Sequence, residues 1–561
     1  MWKNLRNRYT LLFSLLGAVF FIPFLGGVHL FDWDEINFAE ISREMLLLKE
    51  YTRVYINFEP FYQKPPLFFW LQALAMRGFG VGEFAARLPN ALCGMLTLAL
   101  LFRIGQRLKG IRFGVLWAGV YFGSVLPFLY FKSGIIDPWF NLFIFLGLYH
   151  FILFYWKKEG FEGVEIRASQ WWHLFLAGCW IGLGMLTKGQ VAYLIVVLTM
   201  GVYWVYQRFR LYVSIPQFLF FTASAILVTL TWFGTEALAN GPAFIVEFFQ
   251  YQYRLFSTPD AGHKGFPGYH FVVLLVGCFP ASIFAIRSFF QLPGADKPFE
   301  KDFRRWMKYL FWTVLLLFSI VQSKIVHYSS LCYFPLTYLA ALSVEKILDG
   351  DIRLNSWMRT GLWLVSSLFI MATLVLPVLG MQAEVLKPLF EDPFAQGNLE
   401  ANVHWTGAEV LPGLYLLALM AVFFKLMQKK RRRPAFYLLF GGTAVFVMLT
   451  LFFFVGRIEG YSQRAAVNFF KEKSREDCHL AVYGYKSYAH LFYGRPSQAG
   501  QDCFMDTACI NHLIYDPLDK PAYIVSKVHK ASELESRSAL EEIGRKNGFV
   551  FFRRKFILEK F

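Results

Sequence analysis

Phe31-Asp32-Trp33-Asp34-Glu35-Ile36-Asn37-Phe38-Ala39-Glu40-Ile41-Ser42-Arg43-Glu44 follows directly on a hydrophobic run from Leu11 to Leu30. That run is about as long as one bilayer crossing, roughly 20 residues. No small-x-small cleavage site closes it before the acidic stretch, so it reads as an uncleaved signal anchor. Carboxylates at the exit of a membrane crossing mark either a solvated loop or a site. The continuation favours a site, because Phe61-Tyr62-Gln63-Lys64-Pro65-Pro66 sets a cation beside two prolines whose φ is fixed. Acid followed by a held lysine, at the mouth of a membrane protein, points to chemistry on an anionic lipid headgroup.

Working outward, 56% of the 561 residues are hydrophobic and 17% are charged. Only a polytopic α-helical membrane protein uses that much apolar surface. Aromatic residues at 19% suit lipid-facing helices with Trp and Tyr at the interfaces. The net charge of +17 is carried by clusters between apolar runs, which argues for a basic cytoplasmic face and against nucleic acid. Cys93, Cys179, Cys278 and Cys332 fall inside apolar runs, where they act as small fillers. Cys478, Cys503 and Cys509 lie in the polar tail; they allow at most one intrachain disulfide and show no zinc spacing.

Hydropathy predicts about thirteen spans, at 11–30, 85–104, 113–132, 138–156, 171–187, 190–206, 215–234, 269–290, 308–322, 331–347, 360–380, 409–428 and 435–456. Alternate connections hold the cations, among them Arg103, Arg107, Lys109 and Arg112, and the block Lys429-Lys430-Arg431-Arg432-Arg433. The positive-inside rule places these in the cytoplasm, and an odd span count sends the tail to the other side. The expected organisation is a membrane domain over 1–456, with a catalytic first outer loop at 31–84, and a periplasmic α/β domain over 457–561. In the first loop Phe38, Ile41, Met45 and Leu48 recur at helical spacing, predicting an amphipathic helix in the interface plane. In the tail, 479–483 and 521–525 read as strands, 549–552 and 556–558 as a late hairpin or paired strands, and 462–473 and 538–546 as helices.

An outward-facing membrane enzyme has no nucleotide sugar or ATP, and the chain carries neither a Walker loop nor a Rossmann fingerprint. Its activated donor has to arrive as a lipid, most simply a sugar on polyprenyl phosphate. Displacing that phosphate requires cations on the leaving group and a carboxylate to orient or deprotonate the attacking group. Lys64, Arg254 and Lys324, with Lys188, supply the cations; Asp34, Glu35 and Asp137 supply the carboxylates. Tyr62, Lys188, His263 and His327 are further candidate substrate contacts. Plainer readings stand beside these: Asp137 before Pro138 as a helix cap, Lys188 snorkelling to the interface, and the two histidines as interfacial hydrogen bonders.

Asp34-Glu35-x-x-Phe38-Ala39-Glu40-Ile41-Ser42-Arg43-Glu44-Met45 resembles the first-loop signature of the bacterial lipid A aminoarabinose transferases. These are grouped with the protein O-mannosyltransferases in the GT-C class of membrane glycosyltransferases. Lys64-Pro65-Pro66-Leu67-x-x-Trp70 and Phe84-Ala85-x-Arg87-Leu88-Pro89-x-Ala91-Leu92 are similar to the motifs that follow in that family. Asp137-Pro138, Gly182-x-Gly184-Met185-Leu186-Thr187-Lys188-Gly189 and Ser323-Lys324-x-x-x-Tyr328 continue the likeness in order, over roughly residues 1–345. The resemblance implies a GT-C fold, Asp34 as the catalytic carboxylate near the acceptor, and Lys64, Arg254 and Tyr328 around the donor phosphate. Three departures accompany it. Asn37-Phe38 stands where the family often has Arg-Tyr. Gln63 replaces the usual Glu before the lysine, which weakens any metal site there. Leu331 replaces the proline after the tyrosine.

The expected function is transfer of a sugar, with inversion, from a polyprenyl-phosphate donor to an extracytoplasmic acceptor: a lipid A-like glycolipid, a protein or a glycan. A lipid-linked-sugar flippase or polysaccharide transporter is the rival reading, and a degenerate scaffold a third. No cofactor is called for, with a divalent metal left open. The expected setting is the bacterial inner membrane, among its lipids, with the site and the tail on the periplasmic side.

Overall fold

The computed structural model describes residues 2–257, 265–294, 296–496, 503, 507–518 and 520–555. Twelve of the thirteen expected spans coincide with helices or bent pairs of helices, and the first is helical only as far as Phe21. Among the described residues, seven helices are long and apolar enough to cross a membrane, or up to nine if each bent pair is one span. In the most apolar 18 residues of Asp137–Lys158 and of Val326–Asp349, 89% are buried, and these form the middle of the body, whereas in Ile215–Asn240 the share is 28% and apolar side chains turn outward. That outward apolar face suits lipid.

The first span is shorter than expected. Helix α1 (Trp2–Phe21) stops because Pro23 disfavours helical backbone at Ile22, and residues 22–30 are turn and coil. The acidic stretch then forms α2 (Asp34–Leu48), but Glu35 to Met45 are all buried, which overturns the expectation of a helix in the interface plane. Its polar side is occupied by protein rather than water. Ser42 Oγ donates to Phe38 O at 2.8 Å and meets Gln72 Oε1 at 3.1 Å, on α3 (Leu67–Phe79). Arg43 forms a forked pair with Glu40 and also donates to Pro496 O at 3.1 Å. Glu44 accepts the backbone N–H groups of Asn57 and Phe58.

Helix α4 (Glu83–Lys109) holds this loop from below. Arg87 Nη1 donates to the carbonyls of Leu25 and Val28, and Asn90 donates to Ser133 O and Ile135 O. The latter two bonds fix the turn that leads into α5 (Asp137–Lys158). Helix α6 (Gln170–Lys188) packs on α7 (Ile215–Asn240) through glycines. A Cβ on Gly178 would lie 2.5 Å from Phe221 O, and one on Gly182 2.7 Å from Ala225 O. Small residues allow such close approach between membrane helices, and here they place Lys188.

The tail carries one mixed sheet of β1 (His479–Tyr483), β2 (Ala522–Lys527), β3 (Leu540–Lys546) and β4 (Phe549–Arg554), in the order β1-β2-β4-β3. β1 runs parallel to β2, and β4 pairs antiparallel with both β2 and β3. The expected strands at 479–483, 521–525 and 549–552 and the helix at 462–473 correspond to elements found here. The stretch 538–546 is corrected from helix to strand: β3 is a charged edge strand, with only Leu540 buried, and charge on an edge strand hides its strand character. Residues 556–558 lie outside the described residues. Cys503 and Cys509 form a disulfide.

This lobe is fused to the first loop. Leu30, Ile36, Ala39, Met76 and Ala85 share one apolar cluster with Val467, Phe470, Leu491 and Phe492.

Candidate active site

A cavity of about 510 Å³ opens where the first loop, the ends of α5 and α6, and the sheet-bearing lobe meet. Asp34, Glu35, Lys64, Asp137, Lys188, Arg254, His327 and Tyr328 all line it. Eight of the residues chosen from sequence are thus brought to one place from six separate stretches of chain.

Asp137 opens α5, where a carboxylate suits the positive end of the helix. Its Oδ1 lies 2.7 Å from Lys188 Nζ, with the two side chains 4% and 14% exposed. Lys188 therefore does not snorkel into water; it ends α6 in a largely buried ion pair, with its ammonium 5.1 Å from the centre of the Tyr328 ring. Asp137 Oδ2 accepts no hydrogen bond and lies 3.9 Å from His327 Nε2. The same nitrogen is 3.7 Å from Asp34 Oδ2, on a side chain that is 39% exposed. His327 thus stands between the two carboxylates.

Two more cations gather on one ring. Lys64 Nζ and the Arg254 guanidinium lie 4.9 Å and 5.2 Å from the centre of Tyr251, so an electron-rich face holds both at the cavity edge. Arg254 and Tyr251 sit on α8 (Ala243–Ser257).

Glu35 lines the cavity but has no capacity left for catalysis. Its two oxygens take Arg87 Nε and Nη2 together with the N–H groups of Gly134 and Phe31. Burial alone would raise its carboxyl, yet Arg87 and those N–H groups outweigh burial and hold it below its ordinary value. Glu35 is corrected from catalytic group to anchor of the loop. Lys324 is likewise corrected. It is absent from the residues lining the cavity, and its ammonium donates to the carbonyls of Phe318, Ser319 and Val321, closing the end of the preceding helix. Tyr62 packs on Phe244 at 5.9 Å rather than lining the cavity, and His263 lies outside the described residues. Among the described residues, no group of three or more His, Cys, Asp or Glu is arranged to hold a metal ion.

Sequence reasoning missed Asp32, Trp33, Tyr251 and Lys486, which also line the cavity. Asp32 accepts from the Ser487 hydroxyl and from Tyr488 N. Crowding by protein pushes its carboxyl up to about 6 against those bonds and the charge of Lys527, although the residue keeps exposed surface. Tyr251 carries a weak signal, three residues before Arg254 on one helical face. Lys486 carries none.

A second cavity of about 360 Å³ shares Lys64, Asp137, Lys188 and Tyr328 with the first and continues between Val191, Leu194, Phe249, Phe318 and Val321. The site thus has a charged chamber joined to an apolar groove.

Residues 63–232 match the family described as dolichyl-phosphate-mannose-protein mannosyltransferase. Across 97% of this chain and 98% of the other, the structure superposes on the crystal structure of ArnT from Cupriavidus metallidurans bound to undecaprenyl phosphate, with a TM-score of 0.76 at 17% identity. The chain has the fold of ArnT. In fold it is ArnT-like, and its motifs are similar, in order, to those of the aminoarabinose transferases. The apo ArnT structure gives a TM-score of 0.74. In sequence the chain is similar to the undecaprenyl phosphate-alpha-4-amino-4-deoxy-L-arabinose arabinosyl transferases of Erwinia tasmaniensis, 28% identical over 61% of this chain, and of Edwardsiella ictaluri, 29% identical over 62%. The matched part spans 60% of each of these ArnT-like relatives.

Proposed function

We propose that this chain is a membrane glycosyltransferase that moves a sugar from a polyprenyl-phosphate donor to an extracytoplasmic acceptor. The observation that carries the reading is the shared boundary of the two cavities. Lys64 and Lys188 stand where the apolar groove meets the charged chamber, the place a prenyl chain would bring its phosphate. The names of the curated relatives support this donor class, as does the lipid phosphate in the related crystal structure's description.

In this reading the prenyl tail lies along Leu194, Phe249 and Phe318, and Lys64, Lys188 and Arg254 face the phosphate. Their charge stabilises the phosphate as it leaves the anomeric carbon, so no general acid is needed. Asp34, partly exposed and 3.7 Å from His327, accepts the proton of an attacking hydroxyl, or orients an acceptor that is already ionised. Attack opposite the departing phosphate inverts the anomeric centre. Asp137 holds Lys188 in place and keeps a second carboxylate edge toward the chamber. The chain would cross the bacterial inner membrane thirteen times, with 1–456 as the membrane domain and the chamber and the 457–561 lobe on the periplasmic side. A glycolipid, a protein or a glycan would serve as acceptor.

The test is incubation of purified protein with radiolabelled polyprenyl-phosphate sugars and a membrane extract. Label transferred to an acceptor, and lost in Asp34→Asn, is the expected result. Label that only changes leaflet in vesicles, with no product, overturns the reading in favour of a transporter.

A further inference from the structure

Lys486 is contributed by the sheet-bearing lobe, in the turn after β1, and reaches the chamber from the side opposite in sequence to every other cation there. Its ammonium sits 3.4 Å from the centre of the Trp33 ring, directly beside Asp34 in the chain. The turn that carries it is clamped. Ser487 and Tyr488, both buried, bind the two oxygens of Asp32, and the rings of Tyr488 and Trp33 meet at 5.9 Å. The position of this ammonium is therefore built.

The cations of the chamber divide into two sets. Lys64 and Lys188 also line the apolar groove, and Arg254, though it lines the chamber only, shares the Tyr251 ring with Lys64; Lys486 lines the chamber on the Trp33 ring, beside Asp34. A donor lipid seated in the groove meets the first set. The second set, a carboxylate with a cation one residue away over an aromatic face, meets whatever enters from the lobe side. An acceptor that places its attacking oxygen at Asp34 brings its neighbouring group to Lys486. A compact ammonium there recognises negative charge.

We propose that Lys486 is the acceptor-side specificity residue, binding an anionic group, phosphate or carboxylate, next to the attacking atom of the acceptor. This rests on the glycosyl-transfer reading above. It assigns the lobe a share in substrate choice that none of the motifs in the membrane domain carries.

The experiment compares two acceptor probes, a synthetic dialkyl glycolipid bearing a phosphate monoester and the same glycolipid without it, using full-length protein and a polyprenyl-phosphate sugar. Wild type should favour the phosphorylated probe. Lys486→Ala should raise its KM by roughly ten-fold, leave kcat and polyprenyl-phosphate affinity near wild type, and leave the neutral probe unaffected. Lys486→Arg should recover most of the preference. Equal use of both probes by wild type overturns the assignment, and so does a Lys486→Ala variant that weakens the two probes alike. A merely structural role would give that second pattern, with a lowered unfolding temperature. Wild type that transfers to neither probe nor to any component of a membrane extract overturns the transfer reading itself, a result distinct from loss of preference.

Discussion

Lys188 and Asp137 meet at 2.7 Å, the lysine at the last position of its helix and the aspartate at the first position of the neighbouring one. Each charge sits at the end of its helix that the backbone dipole favours, so the pair is supported from both sides. Removing one member leaves the other in a poorly hydrated place.

Lys188→Met should therefore cost about 3 kcal/mol of stability, read as a fall in unfolding temperature in detergent. The double variant Lys188→Met with Asp137→Asn should regain much of that loss and none of the turnover. A double variant no more stable than the single one would show that the pair is not what holds these helix ends.

Asp34→Asn should lower turnover by ~10²–10⁴-fold while donor binding and folding stay near wild type, because the side chain is partly exposed and its contact with His327 is a long 3.7 Å. Glu35→Gln should behave in the opposite manner. It breaks the forked contact with Arg87, so the expected loss is in stability of the first loop. Measured side by side, the two neighbouring carboxylates separate chemistry from anchoring.

Lys64→Ala should weaken binding of polyprenyl phosphate as well as turnover, since the charge contact exists before and during the reaction. Lys64→Arg should rescue only in part, because a planar fork replaces a compact point charge over the Tyr251 ring. Unchanged lipid-phosphate affinity in Lys64→Ala would place the ammonium at the membrane edge instead.

Glu44 gives a pH dependence. Burial, then the nearby Glu40, push its carboxyl well above the ordinary value of 4.5. The folded protein thus holds this proton more tightly than the unfolded chain does, and the stability it lends is full below about pH 4.5 and is lost as pH rises from there through about 9. Wild type should melt at progressively lower temperature from pH 6 to pH 9, and Glu44→Gln should flatten that slope while keeping an acceptor for Phe58 N. An unchanged slope in Glu44→Gln assigns the effect to another group.

The membrane helices were legible in sequence because hydropathy is a local property, and Pro23 alone could have corrected the first boundary. The chamber was legible because six short motifs kept their order. What sequence did not show was which carboxylate of Asp34-Glu35 faces the chamber. Arg87, 52 residues on, settles that by claiming Glu35. Lys324 looked catalytic for want of the three carbonyls around it, which are contributed by the end of a helix whose path a sequence does not give. Helix α2 has an amphipathic pattern, and only its packing against the distant lobe reveals that both faces are buried.

Arg43 reaches a carbonyl 453 positions later in the chain, and Asp32 a hydroxyl 455 positions later. Translation delivers the first loop almost at the outset and its partners near the finish. For nearly the whole of its synthesis the growing polypeptide therefore carries an unseated loop, and the chamber closes only after the lobe has emerged and docked. A ribosome stalled anywhere in the last membrane helices would leave behind a protein with every donor-side cation in place and no finished chamber.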